Sequence, residues 1–419
     1  MPGNSNAPEI LFLMPQVNAK RVLENLYALR EIGKYKTGVH RPTLSDDDMK
    51  TRYWLKEELV KLGYDVHIDG VANVIGYSPT PGKKLLCGSH LETQNHAGWL
   101  DGALGVVYAL EAARHLTEYN KADVGVDVMA FADEEGHFGE LIGSNSLVGN
   151  LTDEMLDKAR NRTDGTPLRE ALARVGLAAT PRTLIDRERY VGMFEAHIEQ
   201  GSSLEADGNL IGIVTSIVGN WKFRITASGV QNHAGTTRMD MRKDAGAALM
   251  RIYNQIEQEF PLHAGSRTVW TIGRITLYPG APSIVPGTAE MLFQFRDADE
   301  NILKNLQSVL KKIVQAEDRI GPCEISIEMR GRSNPALMDE TMQRDIEAAA
   351  EISAPRKHVK MPSGAGHDAR TIAQVLPAAM MFIPSIGGIS HHYKENTSDE
   401  DIALGAQVYV DAVTRILAR

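Results

Sequence analysis

The sequence predicts an α/β protein: a mixed, mostly parallel sheet in one domain, interrupted by a compact ferredoxin-like (βαββαβ) insertion. Three observations predict it. Short apolar runs alternate with stretches of helical periodicity through the first half of the chain, the pattern of an open, mostly parallel sheet. From about residue 212 to 330 the order changes to β-α-β-β-α-β, which reads as one compact unit. After it the earlier pattern resumes. A chain of 419 residues is also too long for one ordinary core. The expected domains are therefore 1–211 with 331–419, and 212–330.

Helical periodicity runs through 16–33 and 46–62, the second stretch opening with Ser45 as N-cap and closing at Gly63. Strand-like runs follow at 64–68, 72–76 and 84–88. GALGVVYALEAARHL then reads as a helix packed on a sheet, and VDVMAFADEE as a buried strand ending in acids. Residues 151–185 are polar and helix-prone; 190–198 is a strand with His197 near its end. In the insertion, strands are expected at 221–229, 267–277, 288–296 and 324–329, with helices at 240–258 and 299–316. A strand at 378–384 and a helix from Ser398 onward complete the pattern.

Hydrophobic content of 43% and charged content of 24% are those of an ordinary globular protein. A formal net charge of −9 with no basic block argues against a nucleic-acid partner. No apolar run approaches membrane-spanning length, and MPGNSNAPEILFLMPQ lacks the basic start of a signal peptide. With only Cys87 and Cys323, a disulfide framework is excluded and a cytoplasmic location is expected.

His90, the acids Asp133, Glu134 and Glu135, and His197 all fall at predicted strand ends, where open α/β sheets bind their ligands. With Asp101 and a late histidine, His391 or His392, they form an imidazole and carboxylate set suited to zinc, manganese or nickel, zinc by default. Asp101, isolated at a helix start, is suited to bridge two ions. Such a pair, about 3.5–4 Å apart, polarises a carbonyl and makes hydroxide at neutral pH. Glu134, beside a ligand without being one, is placed to be the general base. Singly each signal is weak: a strand-end histidine is usually structural, an acidic pair usually solvated, and Asp101 could be an N-cap. Their joint spacing reverses that balance.

The motifs GSHLETQ, DGALGV, FADEEGHFG, EAHIEQG, NHAGTTRMDMRKDA, MPSGAGHDA and GGISHHYKENTS carry a resemblance over nearly the whole chain. They resemble the carbamoylase branch of the dinuclear-zinc aminoacylase and carboxypeptidase superfamily, which includes N-carbamoyl-L-amino acid hydrolases, β-ureidopropionase and allantoate amidohydrolase. The resemblance implies an amidohydrolase acting on the C–N bond of an N-carbamoyl amino acid or related ureido acid, through a metal-bridging hydroxide activated by Glu134. It implies two divalent metal ions, zinc by default, with manganese, nickel or cobalt as alternatives. It also implies that the insertion is a dimerisation domain and the protein a homodimer. His90, Asp101, Glu135, His197 and His391 look like the ligands, Asp101 the bridge; His391 is preferred because it directly follows GGIS. Gln200, Gly366 and His367 resemble substrate contacts. Arg296 resembles the clamp of the substrate carboxylate. His233 resembles a residue that reaches the partner subunit's site and stabilises the oxyanion.

The sequence departs from the family in three places. Glu92 stands where an Asp is usual, behind the first histidine ligand, in a position that holds the imidazole in its tautomer. Ser283 stands where a substrate-holding Asn is usual, and a hydroxyl presents one donor where an amide presents two. His96 and His137 stand where small or polar residues are expected, and read as solvated loop residues or substrate contacts. Trp99 and Tyr278 could shape a pocket, but as aromatics beside turns they read as core packing. The Ser283 departure keeps an N-acyl amino acid amidohydrolase or an allantoate-like ureide hydrolase in play; a non-catalytic binding homologue is the distant alternative.

Overall fold

The computed structural model describes residues 16–119 and 124–419; the leader reading of the amino-terminal stretch falls, up to residue 15, outside them. The chain divides into two compact units. One comprises the described residues up to Thr215, Met338–Met361 and His367–Arg419; the other comprises Ser216–Leu337 and Pro362–Gly366.

In the first unit four parallel strands lie side by side in the order Ala378–Ile383, Tyr190–Ile198, Lys84–His90, Gly125–Phe131. Antiparallel strands extend them, Ile211–Ile217 beside Ala378–Ile383, and Val74–Tyr77 then Asp65–Ile68 beside Gly125–Phe131. Every residue of Lys84–His90 and of Gly125–Phe131 is buried, as expected of strands covered on both faces. Helix Ala103–Tyr119 packs on these strands and is buried without a break from Ala103 to Leu116, because a second helical layer covers it. That layer contains Ala19–Glu31 and Asp399–Leu417. Burying each such Val, Leu or Phe contributes about 1.5–3 kcal/mol of transfer free energy, and this apolar ground fixes the strand ends above it.

Ser45 accepts the backbone N–H of Asp48 and caps helix Asp46–Lys61, with three acids in its first turn to complement the helix dipole. Ser398 does the same for Asp399–Leu417. The polar stretch 151–185 resolves into two short helices, Asp153–Lys158 and Leu168–Arg174, joined by loops. The strand Ile211–Ile217 and the helix Glu340–Ser353 were not expected.

The second unit holds the antiparallel sheet ordered Val269–Tyr278, Thr288–Asp297, Gly219–Ser228, Glu324–Ser333. Its helices are Ala245–His263 and Glu300–Ile320. This is the βαββαβ connectivity. Gly219–Ser228 alternates buried and partly exposed positions, the period of a sheet covered on one face. Trp221, Phe223, Phe293 and Phe295 meet Phe260 and Leu306 from the helices in one apolar cluster. The first helix starts at Ala245 rather than 240, because Asp244 caps it through the Ala247 N–H and a 3-10 turn, Met239–Met241, precedes it.

Candidate metal centre

The carboxyl ends of the four parallel strands all deliver candidate ligands. His90 is the last residue of its strand and His197 the penultimate residue of its own. Glu134 and Glu135 follow Gly125–Phe131, and His391 lies in the loop after Ala378–Ile383. Asp101 stands two residues before helix Ala103–Tyr119. Gly102, at φ +69°, separates it from that helix; a Cβ there would lie 2.4 Å from the His90 ring, so the Asp-Gly pair is a steric requirement of the close approach.

The donors form two triads that share Asp101. His90, Asp101 and His197 make the inner one; Asp101, Glu135 and His391 make the outer. Asp101 Oδ1 lies 3.4 Å from His90 Nε2 and 3.2 Å from His197 Nε2. Asp101 Oδ2 lies 3.3 Å from His391 Nε2, which is 3.6 Å from Glu135 Oε2. One carboxylate thus gives one oxygen to each triad.

The donor set fits cations. His90 Nδ1 donates to the Glu92 carbonyl at 2.9 Å, and His197 Nδ1 to the Ile198 carbonyl at 2.9 Å. Those bonds fix the tautomer, so each ring turns an Nε2 lone pair toward Asp101. His90 Nε2 is buried without a hydrogen-bond partner, an arrangement that costs free energy unless something electron-poor sits against it. Burial opposes charge on Asp101, but the imidazoles of His197, His391 and His90 around it outweigh burial and hold the carboxyl well below the usual range. His391 is lifted to about 9, first by its bond to Asp101. Protons and divalent cations compete for such lone pairs.

Glu134 Oε2 lies 3.7 Å from His90 Nε2, yet Glu134 belongs to neither triad. Burial pushes its carboxyl well above the ordinary range, and the charges of Glu135, Asp368 and Asp101 add to this against His90. A carboxyl raised toward neutrality accepts and returns protons efficiently. Glu92 departs from the expectation. Its main-chain carbonyl, not its carboxylate, orients His90. The carboxylate instead accepts the Glu134 N–H at 2.6 Å and pairs with the fully buried Arg52 at 2.6 Å. The longer side chain reaches past the imidazole to a guanidinium that Asp48 also holds, at 2.9 Å.

Four non-glycine residues of these loops adopt left-handed backbone: His96, Asp133, Gln200 and His391, at φ +53° to +58°. Such conformations cost on the order of 1–3 kcal/mol each and persist where the surroundings impose them. Asp133 shows how: its carboxylate accepts the N–H groups of His137, Phe138 and Gly139 and the Thr43 hydroxyl, fixing the turn that presents Glu134 and Glu135.

Gln200 Nε2 donates to Asp101 Oδ2 at 2.9 Å and lies 3.2 Å from His391 Nε2, against the donor set itself. His367 is buried, edge-on to His197 at 4.6 Å. His137 is 1% exposed, which corrects the solvated reading; its Nε2 bonds the Thr93 carbonyl at 3.0 Å. His96 is exposed and stacks between Tyr35 and His40. Trp99 is core, while Tyr278 is 54% exposed and is not.

His233, Ser283, Arg296 and Gly366 belong to the second unit. Asn232–His233 pairs with Ile284–Val285, and the Ala234 N–H donates to the Ser283 carbonyl at 2.8 Å, so Ser283 sits beside His233. His233 Nδ1 accepts the N–H groups of Gly235 and Thr236 at 3.0 and 3.2 Å. Arg296 donates to the Gly364 carbonyl at 2.9 Å.

Sequence reasoning missed Gln94 and Glu395. Gln94 gives its N–H to Glu135 Oε1 at 3.0 Å and its amide to Glu135 Oε2 at 2.7 Å, and Arg162 donates to its amide oxygen. Its place in GSHLETQ was the available signal. Glu395 is 1% exposed; its place in GGISHHYKENTS was the available signal, although the composition there is that of a surface loop.

The profile of peptidase family M20/M25/M40 matches residues 79–415, which include every donor above. An N-carbamoyl-L-amino-acid amidohydrolase of Pseudomonas sp. (strain NS671) is 31% identical over 414 residues, 95% of this chain and 98% of that protein. An allantoate amidohydrolase of Bacillus subtilis (strain 168) is 30% identical over 389 residues, 90% of this chain and 93% of its own. Among solved structures, an amidase of the hydantoinase/carbamoylase family from Burkholderia phymatum is similar with a TM-score of 0.89 at 43% identity, covering 97% of this chain and 99% of that one.

Proposed function

The chain belongs to peptidase family M20/M25/M40, and from that premise we propose that it is a metal-dependent amidohydrolase cleaving the C–N bond of an N-carbamoyl amino acid or related ureido acid. The observation that carries this reading is the pair of donor triads sharing Asp101, with Glu134 beside them but in neither.

His90, His197 and Asp101 Oδ1 would hold one divalent ion, and Asp101 Oδ2, Glu135 and His391 a second; the nitrogen and oxygen donors favour zinc, with manganese, nickel or cobalt as alternatives. Ions bound there supply Lewis-acid polarisation of a carbonyl and a lowered water pKa. Glu134 takes the proton of the attacking water on its carboxylate and returns it to the leaving nitrogen. In the second unit, Arg296 is assigned the substrate carboxylate and His233 the oxyanion. The tautomer supports the His233 role: with Nδ1 accepting two backbone N–H groups, the ring proton is on Nε2, ready to donate. Gln200, Ser283, Gly366 and His367 are assigned substrate contacts. A carbamoyl substrate gives an amino acid, ammonia and carbon dioxide.

The protein is assigned as a homodimer. Support comes from the edge strand Val269–Tyr278, which exposes Val269, Ile275, Leu277 and Tyr278, an apolar edge of the kind that pairs with another chain. A cytoplasmic location is favoured by two buried free cysteines; among the described residues no helix is long and apolar enough to cross a membrane. The Bacillus subtilis relative favours allantoate-like ureides as the second reading.

A panel of N-carbamoyl amino acids, N-acyl amino acids and ureides, assayed for ammonia in metal-replete protein, tests the proposal. N-carbamoyl turnover with ammonia release is expected. Turnover of N-acyl substrates alone, without ammonia, would overturn it.

A further inference from the structure

One buried carboxylate at the centre has no part in the chemistry assigned so far. Glu395 is 1% exposed and lies four residues beyond His391, on the same loop. Its Oε1 accepts the N–H of Asp101 at 3.1 Å and of Leu100 at 3.4 Å. Its Oε2 accepts the Ser390 hydroxyl at 3.0 Å, and that hydroxyl also lies 3.4 Å from Asp101 Oδ2. The next residue continues the seam: Asn396 Oδ1 accepts the Trp99 indole N–H at 3.3 Å. Opposite Glu395 the chain has no room for a side chain, since a Cβ on Gly98 would stand 1.8 Å from Glu395 Oε1. GWLDG and SHHYKEN are therefore fitted to each other across 294 positions of sequence.

The carboxylate binds the backbone of the shared ligand, not its side chain. It occupies neither Asp101 oxygen while fixing the peptide that aims them. Through Ser390 it fixes the residue next to His391. A neutral hydrogen-bond acceptor would satisfy the same N–H groups, but bonds from N–H to a carboxylate are shorter and roughly twice as strong.

We infer that Glu395, through the Asp101 N–H and Ser390, is a positioning residue that sets the spacing between Asp101 and His391 and thereby the affinity of the outer position for a divalent ion. This rests on the metal-centre reading proposed above. It assigns Glu395 no contact with substrate and no proton transfer.

The test uses full-length protein stripped of metal and titrated with Zn²⁺ against a chromophoric chelator. The melting temperature of the metal-free protein is measured alongside. Wild type is expected to take two equivalents. Glu395→Ala is expected to lose about 10- to 100-fold in affinity at one equivalent, the effect typical of residues that orient metal ligands, and to keep the other equivalent. Glu395→Gln preserves an acceptor for the backbone N–H groups and guards against a folding failure in the alanine variant; it is expected to melt near wild type and fall between the two in affinity. Ser390→Ala is expected to weaken the same equivalent and no other.

Wild-type affinity at both equivalents in Glu395→Gln and Ser390→Ala would overturn the inference. So would a lowered melting temperature in Glu395→Ala with unchanged affinity, since that is a packing role. If wild type itself takes up no divalent ion, the metal-centre reading falls and this role with it, an outcome distinct from both.

Discussion

The two halves of the centre are built differently. In the inner half His90 and His197 are each no more than 1% exposed, stand on adjacent buried strands and are oriented by main-chain carbonyls. In the outer half the His391 side chain is 50% exposed and the supports are side chains: Gln94 on Glu135, Gln200 and Ser390 on Asp101, and Glu395 on the Asp101 peptide. Main-chain carbonyls at strand ends come with the sheet itself. Side-chain supports can be removed one at a time without disturbing a ladder. The inner half is a consequence of the fold, while the outer half is an addition to it.

The largest expected effect lies in the residue that belongs to neither half. Glu134→Gln is expected to lower kcat by about 10²- to 10⁴-fold, the usual contribution of a positioned acid–base group, while both halves keep their metal by elemental analysis. Loss of metal in that variant would make Glu134 a ligand and redraw the boundary between the halves. A smaller effect is expected from Gln94→Ala, which unpins Glu135 alone: about 10- to 100-fold weaker metal binding at one equivalent, by chelator competition. Equal weakening of both equivalents would erase the distinction between strand-built and side-chain-built halves. The smallest effect concerns the ground beneath the inner half. Cys87, three residues before His90, is fully buried, and burial pushes its thiol up to about 12. The thiolate is the reactive form, and below that pKa the thiol keeps its proton. At pH 8 the native protein is expected to resist iodoacetamide at Cys87, and to label fully in denaturant, by mass spectrometry. Rapid native labelling would show that the strand opens.

What could be read from sequence follows the same division. The parallel strands announce themselves as continuous apolar runs, and the inner donors, with Glu134 and Glu135, fall at or just beyond their ends, so spacing alone brings them forward. The βαββαβ unit is legible because its strands alternate and its helices carry clear apolar faces. The helix Glu340–Ser353 was not read, although Asp339 caps it through the N–H groups of Thr341 and Met342; that cap was the available sign. Ile211–Ile217 follows Tyr190–Ile198 after only a short helix and merges with the start of the insertion. The direction of the Glu92 carboxylate could not be read, because its own carbonyl takes the role expected of it and only the fold brings Arg52 within reach. Glu395 in KENTS has the local composition of a surface loop. The motif GGISHHYKENTS marks the stretch, but the burial of Glu395 is a product of tertiary contact with Gly98 and Asp101, which local composition does not encode.

The order of the donors along the chain has a meaning for synthesis. Domains fold as units, amino-terminal parts first as the chain emerges. Every inner donor has been made once residue 197 leaves the ribosome, whereas His391 and Glu395 arrive only near the end of 419 residues. The unit that holds all these donors also takes in Met338–Met361 and His367–Arg419, so, folding as a unit, it is completed only after the insertion has been made. The strand Ala378–Ile383 and the loop that carries His391 are thus late pieces of an early unit, which ties the completion of its sheet to the delivery of its last donor.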